Sequence, residues 1–257
     1  MSATDELSVD VVGRVGVLEI HRAPTNYFDK KILGEIADAG ERLQADGEVR
    51  ALVLCSEGKH FCAGANFAPN GIGADRVAAS RGLYEQAVRL FDLELPIVAA
   101  VQGSAVGGGL GLALAADFRV ASASSTFTAN FSRLGFHQGF GLSLTLPRVV
   151  GQQKALEMFY TSQRIRGKEA LTIGLVDRLS AEAGERDGAM AFADEIAASA
   201  PLAVRAIKKT LRGGLGKEIR AILDHELAQQ EWLWATEDSR RGIEASIGRF
   251  EPDFIGR

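Results

Sequence analysis

The order of apolar and polar positions changes period several times along the chain. SVDVV (Ser8–Val12) and VGVLEI (Val15–Ile20) are β-branched runs separated by Gly13, which predicts a hairpin. From Asp29 to Ala45 the period lengthens, with Ile32, Leu33 and Ile36 recurring on one side, which predicts a helix. ALVLC (Ala51–Cys55) is short, apolar and bounded by polar residues, as a buried strand is. SEGKHFCAGANFAPNGIG follows as a loop of a length that is usually functional. Ala74 to Leu93 predicts a charged amphipathic helix, PIVAAVQG a buried strand, and DFRVAS another. After Gly151 the pattern is helical almost throughout, interrupted by LVDRLS (Leu175–Ser180). Strands alternating with helices predict an α/β core over residues 1–190, followed by a helical region over 191–257, with the change falling between Gly184 and Pro201.

Composition narrows the class. Of 257 residues, 46% are apolar and 24% charged, the balance of a globular protein. The formal charge of -4 argues against a nucleic-acid surface. No apolar run reaches the roughly 20 residues that span a bilayer, and MSATDELSVD lacks a basic-then-apolar leader, so no membrane partner and a cytoplasmic location are expected. Two cysteines, Cys55 and Cys62, make no disulfide framework, and the four histidines show no metal-ligand spacing.

The segment GSAVGGGLGLALAAD (Gly103–Asp117) sets three glycines at the start of an apolar helix. Glycine lets another group approach the backbone, and a helix N-terminus offers unpaired N–H groups at its positive end. One use is tight helix–strand packing. Another is stabilising a developing negative charge. Phosphate cradles do not fit, since no Lys-Ser or Lys-Thr follows and Leu112 takes the third glycine place of G-x-G-x-x-G. Ser104 has the wrong spacing for a nucleophile elbow. HFCAGANF (His60–Phe67) is a second glycine loop at a strand end. Two such loops on one sheet can bring two backbone N–H groups to one oxygen.

HFCAGANF, PIVAAVQGSAVGGGLGLALAADFRVAS, the run TFTANFSRLGFHQGFG to LVDRL, and the terminal ATEDSRRGIEASIGRFEPDF together resemble the crotonase superfamily, the enoyl-CoA hydratase/isomerase group, over nearly the whole chain. The resemblance implies a crotonase-like spiral of ββα units and a C-terminal helical region that builds a homotrimer or a dimer of trimers. It implies an enzyme acting on an acyl-CoA thioester, with coenzyme A entering as part of the substrate and no separate cofactor or metal. It assigns the enolate-holding N–H groups to Ala65 and Gly108, the lining of the CoA adenine and pantetheine path to Ala63 and Asn66, and substrate binding also to Gly107. Asn66 suits a turn cap equally well.

The chain departs from this family at its acids. The hydratase glutamate three residues after the middle glycine is Gly111 here, the second is Phe131, and the later aspartate of some relatives is Gly139. Ordinary enoyl-CoA hydration is therefore not expected. Two alternatives stay open: an acyl-CoA binding protein or sensor without chemistry, and an isomerase, hydrolase or decarboxylase with other acid/base residues. His137 in GFHQGFG is the residue type left in that loop that can move a proton near neutrality; a loop histidine bound to backbone is the alternative. Tyr84, Glu85 and Arg81 lie on the helix that the resemblance places beside the acyl pocket, with a solvated helix face as the alternative, and His225 reads as solvent-facing between Asp224 and Glu226.

Overall fold

The computed structural model describes residues 6–65 and 75–257. Its elements are β1 (Leu7–Val12), β2 (Val15–Ile20), α1 (Lys30–Asp46), β3 (Ala51–Ser56), α2 (Arg76–Asp92), β4 (Ile97–Val101), β5 (Ser104–Val106), α3 (Gly108–Ala115), β6 (Phe118–Ser122) and β7 (Thr126–Thr128). There follow α4 (Leu142–Val150), α5 (Gln152–Thr161), β8 (Ile165–Arg166), α6 (Gly167–Thr172), β9 (Arg178–Ser180), α7 (Glu185–Ala197), α8 (Pro201–Arg212), α9 (Leu215–Trp234) and α10 (Glu237–Gly248).

A six-stranded sheet runs β1-β2-β3-β4-β6-β9, antiparallel only at the β1/β2 hairpin. Both faces are buried, as parallel strands require. Val15, Val17, Val53, Cys55, Val98, Ala100 and Val120 point one way, against α7. Leu18, Ile20, Leu52, Leu54, Ala99 and Val101 point the other way, into the larger core. A smaller sheet, β5-β7-β8, stands beside it. Two repeats, β4-β5-α3 and β6-β7-α4, send one strand to the large sheet and the next to the small one before the helix. This is the α/β spiral of ββα units with a helical C-terminal region that the sequence led us to expect.

The expected helices start at real caps: Asp29 accepts from the Ile32 N–H and Asp75 from the Ala78 N–H, each at 2.9 Å. The division expected at 190/191 falls inside α7. That helix sets Ala189, Ala193 and Ala197, one turn apart, on the sheet valines, so it belongs to the core and the helical tail begins with α8. Of Leu175–Ser180 only Arg178–Ser180 pairs as a strand. β5, β7 and β8 were not read from sequence. They have two or three residues each, too few to show a period, and exist because neighbouring strands supply their hydrogen bonds.

Candidate active site

The segment Phe61–Ala65, just past β3, is stitched on both sides. Cys62 N–H donates to the Ser104 carbonyl at 3.1 Å, and Val106 N–H donates to the Cys62 carbonyl at 3.0 Å. On the other side Ala63 N–H reaches the Thr25 carbonyl at 2.9 Å, and Phe28 N–H reaches the Gly64 carbonyl at 3.0 Å. These bonds press the CAGA turn onto the start of α3. A Cβ at Gly64 (φ +86°) would lie 3.0 Å from the Val106 oxygen and 3.2 Å from the Gly108 nitrogen. A Cβ at Gly109 would lie 2.1 Å from the Cys62 carbonyl oxygen. The glycines are there because backbone packs on backbone.

Gly107 N–H is taken by the Thr128 carbonyl at 2.8 Å. Gly108 is the first residue of α3, where helical geometry offers its N–H no partner. Among the described residues neither the Ala65 N–H nor the Gly108 N–H donates to another group of the chain. Both residues, with Ala63, Gly64 and Gly107, line one cavity of about 940 Å³.

The three positions where the resemblance led us to expect acids are Gly111, Phe131 and Gly139. A Cβ at Gly111 would lie 2.7 Å from Phe140 Cβ, so the Phe140 side chain occupies that space. Phe131 is itself part of the cavity wall. A Cβ at Gly139 would lie 1.9 Å from the Tyr84 hydroxyl oxygen and 2.6 Å from Gln230 Nε2. Phe140 adopts φ +63°, a left-handed conformation that costs a non-glycine residue energy and marks a held geometry. Its ring packs on Phe28 at 5.3 Å and Phe91 at 6.5 Å, and the Phe28 ring in turn covers Gly108.

What holds this loop is α9. Glu226 is fully buried, and its carboxylate accepts the Gly141 and Ser143 N–H groups at 2.8 Å each. One turn later, Gln230 Nε2 donates to the His137 carbonyl at 3.1 Å, and the Tyr84 hydroxyl donates to Gln230 Oε1 at 3.0 Å. Burial raises the Glu226 carboxyl to about 7, against the pull of the Ser143 and Gly141 N–H groups. Burial, then the neighbouring Glu226 charge, raises the Tyr84 phenol above its ordinary value, so it stays protonated.

The Glu226 shift has a pH signature. The folded state holds this proton up to about pH 7, whereas an unperturbed glutamate carboxyl loses it at 4.5. Its contribution to stability is thus full below pH 4.5 and is lost as pH rises through 7. Relative to Glu226→Gln, the parent should lose about 3 kcal/mol of unfolding free energy between pH 4.5 and pH 8. Urea melts of both proteins at several pH values measure it. A difference that stays constant with pH, or grows in the parent's favour as pH rises, contradicts this role.

Of the residues expected at the site, Ala63, Ala65, Gly107 and Gly108 come together, while Asn66 lies outside the described residues. His137 is not brought to the cavity wall. Its Nδ1 is 2.8 Å from the Gln138 carbonyl oxygen, and its ring stands edge-on to His225 at 6.0 Å. Burial lowers its pKa, with the Gln138 carbonyl acting in the opposite direction. Phe136 stacks edge-on against Phe131 and Trp234, each at 6.0 Å, on the cavity side. Arg81 and Glu85 are exposed as expected, but Tyr84 is a cavity residue. Sequence reasoning missed Glu226 and Gln230. The available signal was the four-residue spacing of Glu226, Gln230 and Trp234 on a helix whose other inward residues are apolar. No group of three or more potential metal ligands occurs among the described residues, and no helix there is long and apolar enough to cross a membrane.

The family sequence model described as Enoyl-CoA hydratase/isomerase matches residues 12–257. A probable enoyl-CoA hydratase of Bacillus subtilis (strain 168) is 32% identical over 255 residues, covering 97% of this chain and 98% of the relative. The crotonyl-CoA hydratase of Syntrophomonas wolfei is 31% identical over 259 residues, covering 99% and 100%. Among solved structures, an enoyl-CoA hydratase/isomerase from Pseudoalteromonas atlantica T6c superposes with a TM-score of 0.86 at 28% identity, over 97% of this chain and 100% of that one.

Proposed function

This chain belongs to the enoyl-CoA hydratase/isomerase family, and from that premise we propose that it is an enzyme of acyl-CoA metabolism that holds a thioester enolate between the Ala65 and Gly108 N–H groups. The observation that carries the reading is this pair of uncommitted donors on one cavity wall. As a bond at the substrate's α-carbon breaks, charge moves to the thioester oxygen. Donors fixed beforehand by the stitched CAGA turn and by α3 need no reorganisation, and each is worth about 2.7–4 kcal/mol. Ala63 and Gly107 flank the pair on the wall and bind the substrate, Ala63 together with Asn66 along its CoA portion. Coenzyme A enters with the substrate, so no separate cofactor is required. The free, buried Cys55 and Cys62 suit the reducing cytoplasm. The exposed apolar side chains Leu202, Ile207 and Leu211 on α8, which buries none of its residues, support a homotrimer or dimer of trimers.

Hydration of an enoyl thioester needs a water deprotonated and a proton delivered. Among the described residues the cavity wall offers one carboxylate, Asp29, which caps α1 and pairs with Arg22 at 2.9 Å. Crotonyl-CoA hydration is therefore expected to run about 10²–10⁴-fold below a glutamate-bearing relative for each missing acid or base. Following the product by mass spectrometry measures it, and a rate equal to such a relative's contradicts the reading. Gly111→Glu with Phe131→Glu is not expected to restore it, because Phe140 fills the space at residue 111. The same assay over an acyl-CoA panel addresses the alternative. Binding without turnover throughout would leave an acyl-CoA binding protein or sensor.

A further inference from the structure

The cavity pairs an oxyanion site with a proton donor, and among the described residues its lining offers no free base. The one carboxylate among them, Asp29, is engaged twice, and His137 does not line it. The segment that follows Ala65 in the sequence, NFAPNGIGA (66–74), contains no acid and no histidine. Two tyrosines line the wall, Tyr27 and Tyr84. Tyr84 is the one whose hydroxyl stands where a side chain on residue 139 would be, against the loop that carries Phe140, and Gln230 Oε1 holds it at 3.0 Å.

This set selects among reactions. Isomerisation and dehydration begin by removing an α-proton, and hydration and hydrolysis by deprotonating water; each needs a base. Loss of carbon dioxide from a β-carboxyacyl thioester needs none. The electron pair of the breaking carbon–carbon bond passes directly into the enolate. We propose that this protein decarboxylates a malonyl-type acyl-CoA thioester, with Tyr84 as the catalytic acid and Gln230 as the residue that positions it. The inference rests on the oxyanion reading of Ala65 and Gly108.

The step balances. The substrate's β-carboxylate leaves as carbon dioxide, and its bonding pair becomes the enolate whose oxygen the Ala65 and Gly108 N–H groups hold. The Tyr84 O–H then turns from Gln230 Oε1 to the α-carbon and breaks, and its proton forms the new bond there. The phenolate recovers a proton from water, so one solvent proton is consumed per turnover. The aromatic wall of Phe28, Phe131, Phe136 and Phe140 favours the neutral products over a charged carboxylate. Gln230 spends its amide N–H on the His137 carbonyl, which fixes the orientation of the oxygen facing Tyr84.

The test uses malonyl-, methylmalonyl- and ethylmalonyl-CoA with the parent, Tyr84→Phe and Gln230→Met, following carbon dioxide release and acyl-CoA mass in D₂O. Thioester affinity is measured in parallel by calorimetry. The parent should convert at least one of the three to its decarboxylated thioester with one deuterium at the α-carbon. Tyr84→Phe should lower kcat about 10²–10⁴-fold at nearly unchanged affinity. Gln230→Met should lower kcat less than that and leave KM within about threefold, since it acts through Tyr84. Binding of all three thioesters without carbon dioxide release overturns the proposal and leaves the acyl-CoA reading standing. Failure to bind any of them overturns both. Undiminished kcat in Tyr84→Phe, with its melting temperature kept, removes the acid role.

Discussion

Gly109→Ala should reduce turnover of any thioester that the parent processes by about 10²–10³-fold, the cost of losing one oxyanion donor. The added Cβ would lie 2.1 Å from the Cys62 carbonyl oxygen and 2.7 Å from its carbon. Both are backbone atoms, so no rotamer change relieves the contact. The CAGA turn must move away from α3, against its bonds to Thr25, Ser104, Val106 and Phe28. Ala65 then moves with it, and the two N–H groups no longer meet at one oxygen. Gly108→Ala is the informative comparison. Its Cβ would meet the tip of the Phe28 ring at 2.5 Å, and a ring can tilt. The expected order is parent, then Gly108→Ala, then Gly109→Ala in turnover. Parent-like turnover in Gly109→Ala would mean that these loops do not build the oxyanion site.

The largest effect on stability should come from Asp117→Ala. Asp117 ends the glycine segment, and its carboxylate is 9% exposed. Oδ2 meets Lys208 Nζ at 2.8 Å, Oδ1 meets Arg212 Nη1 at 2.7 Å, and Ile97 N–H donates to Oδ2 at 2.8 Å. These contacts fix α8, which buries no residue of its own, to the sheet. Burial lowers the Lys208 ammonium's pKa despite the Asp117 charge beside it. Removing the carboxylate leaves two cations in a poorly solvated place, at a cost of about 3–5 kcal/mol. The expected fall in Tm is about 6–20 °C. Asp117→Ala with Lys208→Met should recover part of the loss, since one uncompensated charge goes with it. A Tm of Asp117→Ala within about 2 °C of the parent, a shift worth under roughly 1 kcal/mol, would show that α8 is held by other means.

The α/β class was legible because it rests on local periods. Val15, Val17, Leu18 and Ile20 alternate between two buried faces, and Ile32, Leu33 and Ile36 recur at helical spacing. The glycine loops were legible for a related reason. A residue without a side chain, repeated at strand ends, announces that backbone will approach backbone, and Gly64 and Gly109 do this. The resemblance pointed to Ala65 and Gly108, and the structure brings both to one cavity wall.

Only the tertiary structure decided which side chains stand where acids were expected. Tyr84 stands at Gly139 although 55 residues separate them, and Gln230 reaches both from a helix a further 91 residues along. Glu226 looked like one of several solvated acids on α9, yet it closes the loop around Phe140 from the inside. His137, two residues before Gly139, is turned toward His225 instead. The loop's dihedral angles, with Phe140 and Gly141 left-handed, decide which neighbours face the cavity. No local period encodes that choice, because it is made by contacts with α2 and α9 that exist only once the chain has returned on itself.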